Sequence, residues 1–373
     1  MIQKNNPLVL ITGGAGFIGS HLVDAFIAQR YRVRVLDSLL SSVHRGRLPL
    51  WFNTKALFIK GDVRKGADLI KALSGVSYIF HLAAYMDQHP DFSTYIDVNT
   101  KSLALLYEII IKKKLKIKKI IIASSQAVYG EGKYSCPKHG VVYPPPRSLK
   151  QLKEHKWELY CSCGILLQPL RQTEDDKLYP MNIYGASKTA LEDVALSLGK
   201  ACHIPTVLLR YSIVHGPHQS FKHFYSGALR SFAVQALAGE PIEMHEDAGQ
   251  LRDFVHIDDV VRAHFVVMRH PKASGEVFNV GNGQPHSVCR LAQLVSKVVG
   301  VPFRPVRKGF FRVGTPRHSI MDVSKLKKLG WRPIHPITDN VTDYIRWVRN
   351  FPDAIYYLRR TYETLKRTKV IQS

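Results

Sequence analysis

Apolar runs alternate with amphipathic segments through the first half of this 373-residue chain. The pattern predicts strands near 8–12, 32–36, 56–60, 77–82 and 118–123, with helices near 19–30, 66–74 and 93–114. Strand and helix in strict alternation imply a parallel sheet covered by helices on both faces. After an interruption the alternation resumes with a helix near 184–201 and the strand TVLLRYS at 206–212. From about residue 213 the loops lengthen and Pro and Gly become more frequent. A helix is expected near 221–238, then short strands between helices.

The segment Leu8 to Ser20, LVLITGGAGFIGS, is a strand, a tight turn and a helix start. Such a turn aims backbone N–H groups and the positive end of a helix at an anion, usually a pyrophosphate. Gly14, Gly16 and Gly19 fit G-x-G-x-x-G, and Gly13, Gly16 and Gly19 fit the wider T-G-x-x-G-x-x-G spacing. A second apolar run, YRVRVL, ends at Asp37. An acid about twenty residues past the glycines bonds the adenosine ribose hydroxyls, which favours NAD over NADP. Arg45 and Arg47 lie nearby, where a 2′-phosphate would meet them. The expected fold is α/β, a Rossmann-like doubly wound parallel sheet with a smaller C-terminal lobe. Residues 1–212 form the NAD-binding domain, with an insertion at about 131–178, and 213–373 form mainly a substrate-binding lobe. Some elements are exchanged between the two.

Composition narrows the class. Apolar content of 45% suits a globular protein, and five unevenly placed cysteines argue against a disulfide scaffold. The polar N-terminus leads into a strand and reads as no signal peptide. No apolar run reaches the ~18 residues of a membrane span. A cytoplasmic enzyme is expected. The net charge of +24 would suit an anionic partner. The basic residues are dispersed, however, and concentrate locally only at Lys112 to Lys119 and near the C-terminus. No recognition-helix motif or aromatic-rich basic stripe is present, so nucleic acid is not an expected partner.

The interruption holds three of the five cysteines. It runs through Cys136-Pro-Lys-His139-Gly, then PPPR, then Cys161-Ser-Cys163-Gly. A segment this polar and Pro-rich would not fold by burial alone, so a metal staple is a reasonable device. Cys136, His139, Cys161 and Cys163 supply four ligands for structural zinc. The alternative is a loop with unligated cysteines. Four protein ligands would close the shell, which argues against a catalytic metal.

Tyr184 and Lys188, in YGASK, lie four residues apart at a helix start, so both side chains share one face. A neighbouring ammonium and a bound oxidised nicotinamide both favour the phenolate. The pair is suited to take a proton from a sugar hydroxyl while a cofactor takes hydride. The strand KIIIASSQAVYG ends in Ser124 and Ser125. Open parallel sheets place ligands at such strand ends. Either hydroxyl would bond the reacting oxygen there, or simply cap a turn.

TGGAGFIGS, GDV at 61–63, HLAA at 81–84, SSQAVYG, YGASK and RDFVHIDD at 252–259 occur in that order. Together they resemble the extended short-chain dehydrogenase/reductase family, the NAD-dependent nucleotide-sugar epimerases and dehydratases, over about residues 8 to 345. The resemblance implies Ser125, Tyr184 and Lys188 as the catalytic set, with Ser125 standing three residues before Val128-Tyr129-Gly130. It implies Gly13, Gly16, Phe17, Ile18 and Gly19 at the pyrophosphate and Asp37 at the ribose. Asp62 and Val63 would flank the adenine. Leu82, Ala83 and Ala84 would line the cofactor cleft, with Asn99 nearby. Ser125, Gln126 and Arg252 would meet the substrate, Arg252 as a bidentate clamp on its diphosphate. A surface ion pair, with Asp253 for instance, is the other reading of Arg252. The resemblance also implies a homodimer, through the helices near 93–114 and 184–201.

Family dehydratases carry Asp-Glu just after the catalytic hydroxyl residue. Here Gln126 and Ala127 stand in those positions, which argues for an epimerase working through a transient 4-keto sugar. The insertion resembles a subgroup of dTDP-L-rhamnose 4-epimerases, with Cys-x-Cys here in place of that subgroup's Cys-x-x-Cys. Ser212 or Ile213 stands where the family often has an asparagine against the sugar nucleotide, and His215 replaces a tyrosine. A net oxidoreductase or decarboxylase on a nucleotide sugar, and a non-catalytic NAD-binding regulator, remain as alternatives.

Overall fold

The computed structural model describes residues 6–87, 90–221, 227–367 and 370–372. Seven parallel strands form the central sheet, in the order Glu276–Val280, Thr206–Tyr211, Lys119–Ser125, Tyr78–His81, Leu8–Thr12, Arg32–Asp37, Leu57–Lys60. Every residue of Leu8–Thr12 and of Thr206–Tyr211 is buried. Inner strands are covered on both faces, so their sequences are continuous apolar runs. Side chains alternate between the two covering layers. Val9, Ile11, Ile121 and Leu209 pack with Phe26 and Val260 on one side. Leu8, Leu10, Ile122 and Leu208 pack with Leu106 and Leu191 on the other. Strand order reverses between Leu8–Thr12 and Tyr78–His81, which opens a crevice at their carboxyl ends.

The expected strands and helices of the first half occur, with three differences. The helix expected at 93–114 is Phe92–Ile96, a wide π turn at Asp97–Lys101, and Ser102–Lys112. The wide turn carries Asn99, fully buried, which accepts from Tyr85 N (2.7 Å) and donates to Tyr85 O (3.0 Å) and Ser187 Oγ (2.9 Å). The helix expected at 221–238 is Gly227–Leu237, and residues 222–226 of that expectation lie outside the described residues. The edge strand Glu276–Val280 comes from the second half of the chain, beside Thr206–Tyr211. Lys119, within the basic run, is buried. Its ammonium donates to Val267 O and His270 O, the carbonyl end of the Ile257–Arg269 helix, where a cation is favoured.

The C-terminal lobe packs the helices Gly227–Leu237, Val288–Val299, Ile337–Val348 and Ala354–Arg367 around Phe232, Phe254, Leu291, Val341 and Tyr344. The insertion has its own three-stranded sheet, from Tyr134–Cys136, Gly140–Val142 and Gln168–Pro169. Its apolar core is small: Tyr134, Cys136, Leu159 and Leu167.

A polar network runs through the middle of the molecule. Glu192, on the helix Ile183–Ala201, accepts from the Arg210 guanidinium at 2.7 to 3.2 Å and from Ser124 Oγ at 2.5 Å. Arg210 donates onward to Tyr129 Oη (2.8 Å), and Tyr129 to Asn279 Oδ1 (2.7 Å). Glu192 and Arg210 are both buried, so each charge depends on the other. Replacing Glu192 by Gln leaves a buried guanidinium without its counter-charge. A loss of about 3–5 kcal/mol is expected, read as a shifted midpoint in urea-induced unfolding.

Candidate functional site

A cavity of roughly 1030 Å³ lies at the carboxyl end of the sheet and reaches into the C-terminal lobe. Ala15, Phe17 and Ile18 line one end, Ser125, Gln126 and Tyr184 the middle, and Arg252 the other.

The glycine turn is built to approach other backbone closely. Gly13 has φ +71°, and a Cβ there would stand 2.8 Å from Ala83 N. A Cβ on Gly19 would overlap the carbonyl oxygen of Gly13. The helix Phe17–Ala28 has no side-chain cap and no acid in its first turn. Its leading N–H groups therefore face the cavity as anion donors. Asp37 fixes the turn: its Oδ2 accepts from Ala15 N (3.0 Å) and its Oδ1 from Leu39 N (2.9 Å). Thr12 Oγ1 accepts from Ala83 N (3.2 Å), which holds Leu82 to Ala84 against the turn, and Ala84 lines the cavity. This chain fits a dinucleotide in donor chemistry and in clearance. Arg45 lies over the Tyr357 ring at 4.7 Å.

Of the predicted cofactor residues, Phe17, Ile18, Ala84 and Tyr184 line the cavity. Gly13, Gly16, Gly19, Asp37, Leu82, Ala83 and Lys188 lie just behind its wall, and Asp62, Val63 and Asn99 are engaged elsewhere. Asp62 is paired with Arg64 (2.6 Å), which with its backbone N–H lowers the carboxyl pKa against the opposing effect of burial. The Val63 side chain belongs to the apolar core, leaving only its backbone for a ligand. Asn99 has both amide hydrogens committed to Tyr85 and Ser187, so it shapes the cleft wall by holding Tyr85, which does line the cavity.

Tyr184 and Ser125 both line the cavity. Lys188 is 2% exposed, with Nζ 5.9 Å from the Tyr184 ring centroid and donating to Ala123 O at 2.9 Å. Burial pushes its pKa down to about 8, opposed by the Glu192 charge. The two serines separate clearly. Ser124 donates its hydroxyl to Glu192, whereas Ser125 Oγ only accepts, from Ala127 N at 3.2 Å, and keeps its proton for a ligand. Gln126 accepts from Ser319 Oγ (2.9 Å).

Arg252 is buried and makes no ion pair with Asp253. Its guanidinium donates to Leu251 O (2.8 Å), Arg317 O (2.9 Å) and Pro316 O (2.8 Å). Asp253 accepts instead from Ser212 Oγ, Asn282 N and Gly283 N, and burial raises its pKa to about 6. Ser212 and His215 both line the cavity, as does Ile213. Sequence reasoning missed Glu192 and the Arg317 cluster. Glu192 had a signal, because it continues the four-residue spacing of Tyr184 and Lys188.

The insertion gathers its four candidate ligands. The ligand atoms of Cys136, His139, Cys161 and Cys163 all lie within 4.8 Å of one another. Cys136 Sγ is 3.7 Å from Cys163 Sγ and 3.8 Å from His139 Nδ1. His139 Nδ1 is 3.0 Å from Cys161 Sγ. A tetrahedral zinc with Zn–S near 2.3 Å has S···S edges of about 3.8 Å, so the set fits that ion. The Cys163 backbone N–H, then His139, lower the Cys161 thiol pKa to about 6.

Comparison with known proteins agrees with this geometry. The model of the NAD dependent epimerase/dehydratase family matches residues 9–153 and 159–281. A dTDP-L-rhamnose 4-epimerase of Burkholderia thailandensis is 31% identical, over 91% of this chain and 94% of that protein. A UDP-glucose 4-epimerase from Thermotoga maritima, solved with UDP-glucose, superposes with a TM-score of 0.76 at 29% identity, covering 92% of this chain and 99% of that one. A Thermus thermophilus UDP-glucose 4-epimerase in complex with NAD gives 0.73 at 25% identity, covering 92% and 99%. No described helix is long and apolar enough to cross a membrane.

Gly19→Ala places a methyl group into the Gly13 carbonyl and forces the turn open. The variant is expected to purify without NAD while the native protein retains it, as read by chromatography of the acid-released nucleotide.

Proposed function

We propose C4 epimerisation of a dTDP-6-deoxyhexose, of the dTDP-L-rhamnose type, as the reaction of this chain, which belongs to the NAD dependent epimerase/dehydratase family. The protein is an NAD-dependent epimerase acting on a nucleotide sugar. The observation that carries the reading is that Tyr184 and Ser125 line one cavity, with Lys188 buried and close to the Tyr184 ring. Likeness to the Burkholderia dTDP-L-rhamnose 4-epimerase over 94% of its length supports the substrate. Gln126 and Ala127 provide no acid or base for loss of water.

NAD, when bound, supplies the acceptor and donor of hydride. Gly13, Gly16, Phe17, Ile18 and Gly19 hold its pyrophosphate, and Asp37 its adenosine ribose. Tyr184, as phenolate, takes the proton of the C4 hydroxyl. Lys188 stabilises that phenolate, and its own position is fixed by Ala123 O. Ser125 donates its free hydroxyl proton to the reacting oxygen. Arg252 holds the substrate diphosphate by charge-assisted hydrogen bonds. The roomy cavity leaves space for the sugar to turn, and Tyr184 would return the proton to the C4 oxygen when bound NAD supplied hydride to the opposite face.

Cys136, His139, Cys161 and Cys163 hold one structural zinc, which closes the insertion with a shell of four protein ligands. We read the chain as a homodimer. The shallow apolar patch of Ala104, Val194 and Leu198 on the two outer helices supports this contact.

Purified protein supplied with NAD is expected to convert dTDP-L-rhamnose to its C4 epimer with no gain in near-ultraviolet NADH absorbance. Accumulating NADH would show net oxidation instead. Tyr184→Phe should lower kcat by about 10²–10⁴ with NAD still bound, and Ser125→Ala should lower it by a similar order. Ser124→Ala should act on unfolding rather than on turnover. Elemental analysis of native protein is expected to give about one zinc per chain, and a metal-free, fully active protein would remove the zinc assignment.

A further inference from the structure

Among the described residues the Arg252 guanidinium hydrogen-bonds carbonyl oxygens, those of Leu251, Pro316 and Arg317, and the Glu246 and Glu131 charges act on it without a hydrogen bond. Carbonyls orient a guanidinium without an ion pair in contact, so they suit a group meant to meet an anion. Two of the three belong to one short segment, and residues of the insertion hold that segment. Arg317 N donates to Glu131 Oε1 at 2.5 Å. Arg147 donates to Thr315 O (3.1 Å) and pairs with Glu246 at 2.8 and 3.1 Å. Glu158 Oε1 accepts from the Arg317 side chain at 2.5 and 3.1 Å. Asp247 holds the rest of that guanidinium, at 2.7 Å from each terminal nitrogen.

Glu158 has a fixed base. It precedes Leu159, which packs with Cys136 in the insertion's small core and accepts from Leu167 N at 2.9 Å. The hairpin between Leu159 and Leu167 carries Cys161 and Cys163. That core has too few apolar side chains to hold the hairpin rigid without the cysteine cluster.

We infer that the Cys/His insertion is a brace for the substrate side of the cavity, and that Glu158 is its positioning residue, acting on Arg252 through Arg317. Closing the metal cluster fixes the hairpin, the hairpin fixes Glu158, and Glu158 fixes the carbonyls that aim Arg252. This inference rests on reading Arg252 as the phosphate-holding group and the cluster as a metal site.

The test measures calorimetric binding of dTDP and of UDP to NAD-loaded protein, with kcat and KM for dTDP-L-rhamnose. Four samples are compared: native protein, Glu158→Gln, native protein stripped of metal by a chelator, and chelated Glu158→Gln. The brace predicts that Glu158→Gln weakens nucleotide binding and raises KM by about three- to tenfold, with kcat, NAD content and zinc content unchanged. Chelation, which removes the zinc, should weaken nucleotide binding and raise KM to the same extent with kcat and NAD content unchanged, and the combination should be no worse than either alone, because both act along one path. Native nucleotide affinity in Glu158→Gln, or two effects that multiply, would overturn the brace. If Glu158→Gln does not fold, chelation of the native protein decides: unchanged dTDP and UDP affinity after metal loss overturns it. Arg252→Gln separates the underlying reading. Unchanged nucleotide affinity there removes Arg252 as the phosphate group, whatever Glu158 does.

Discussion

The buried carboxylate of Glu192 sets the positions on which the site depends. One oxygen accepts from Ser124 while both accept from Arg210, in a region closed to water. A charge so placed tolerates little displacement, because the attraction and the hydrogen bonds must together offset its desolvation. The helix carrying it also carries Lys188 and Tyr184, one and two turns earlier on the same face. Lys188 is tied to Ala123 and Glu192 to Ser124, so helix and strand are registered against each other at two successive points. The same helix face carries Tyr184 to the cavity that Ser125 also lines.

The same network explains which parts of the site were legible in the sequence. The glycine turn was legible because its chemistry is local: three glycines, a strand before and a helix after. The Tyr184 and Lys188 pair was legible as a spacing. Spacing alone left Ser124 and Ser125 open, and the family resemblance favoured Ser125 by its place three residues before Val128-Tyr129-Gly130. Glu192, far along the chain, takes the Ser124 hydroxyl, a partner that no local pattern announces. Asn99 is another case. The sequence places it near the cofactor, yet the wide turn at Asp97–Lys101 directs it into the wall, a one-residue change in helical phase that periodicity does not register. The edge strand Glu276–Val280 is short, and its partner Thr206–Tyr211 lies far upstream, so nothing local marks it as part of the central sheet.

Arg317 shows the cost of reading charges one at a time. As a lone basic residue in a strongly basic chain it gives no signal. In the fold it is almost fully buried and meets Glu158 from the insertion and the adjacent Glu246 and Asp247 from the C-terminal lobe. His318 first, and then Arg317, draw the Glu158 carboxyl pKa down to about 2. Three carboxylates thus converge on one guanidinium where the insertion meets the C-terminal lobe.

The insertion leaves and rejoins the main chain at one doorway. Tyr179 N donates to Val128 O at 3.0 Å, and Gly130 takes φ +65° because a side chain there would run into the Tyr179 carbonyl. A module whose two ends are already clasped imposes almost no stretch on its host. The serine on one side of the doorway and the tyrosine on the other therefore stay in place whatever the length of the loop between them, and the insertion's demands fall instead on Glu131, Arg147 and Glu158, which reach the other lobe.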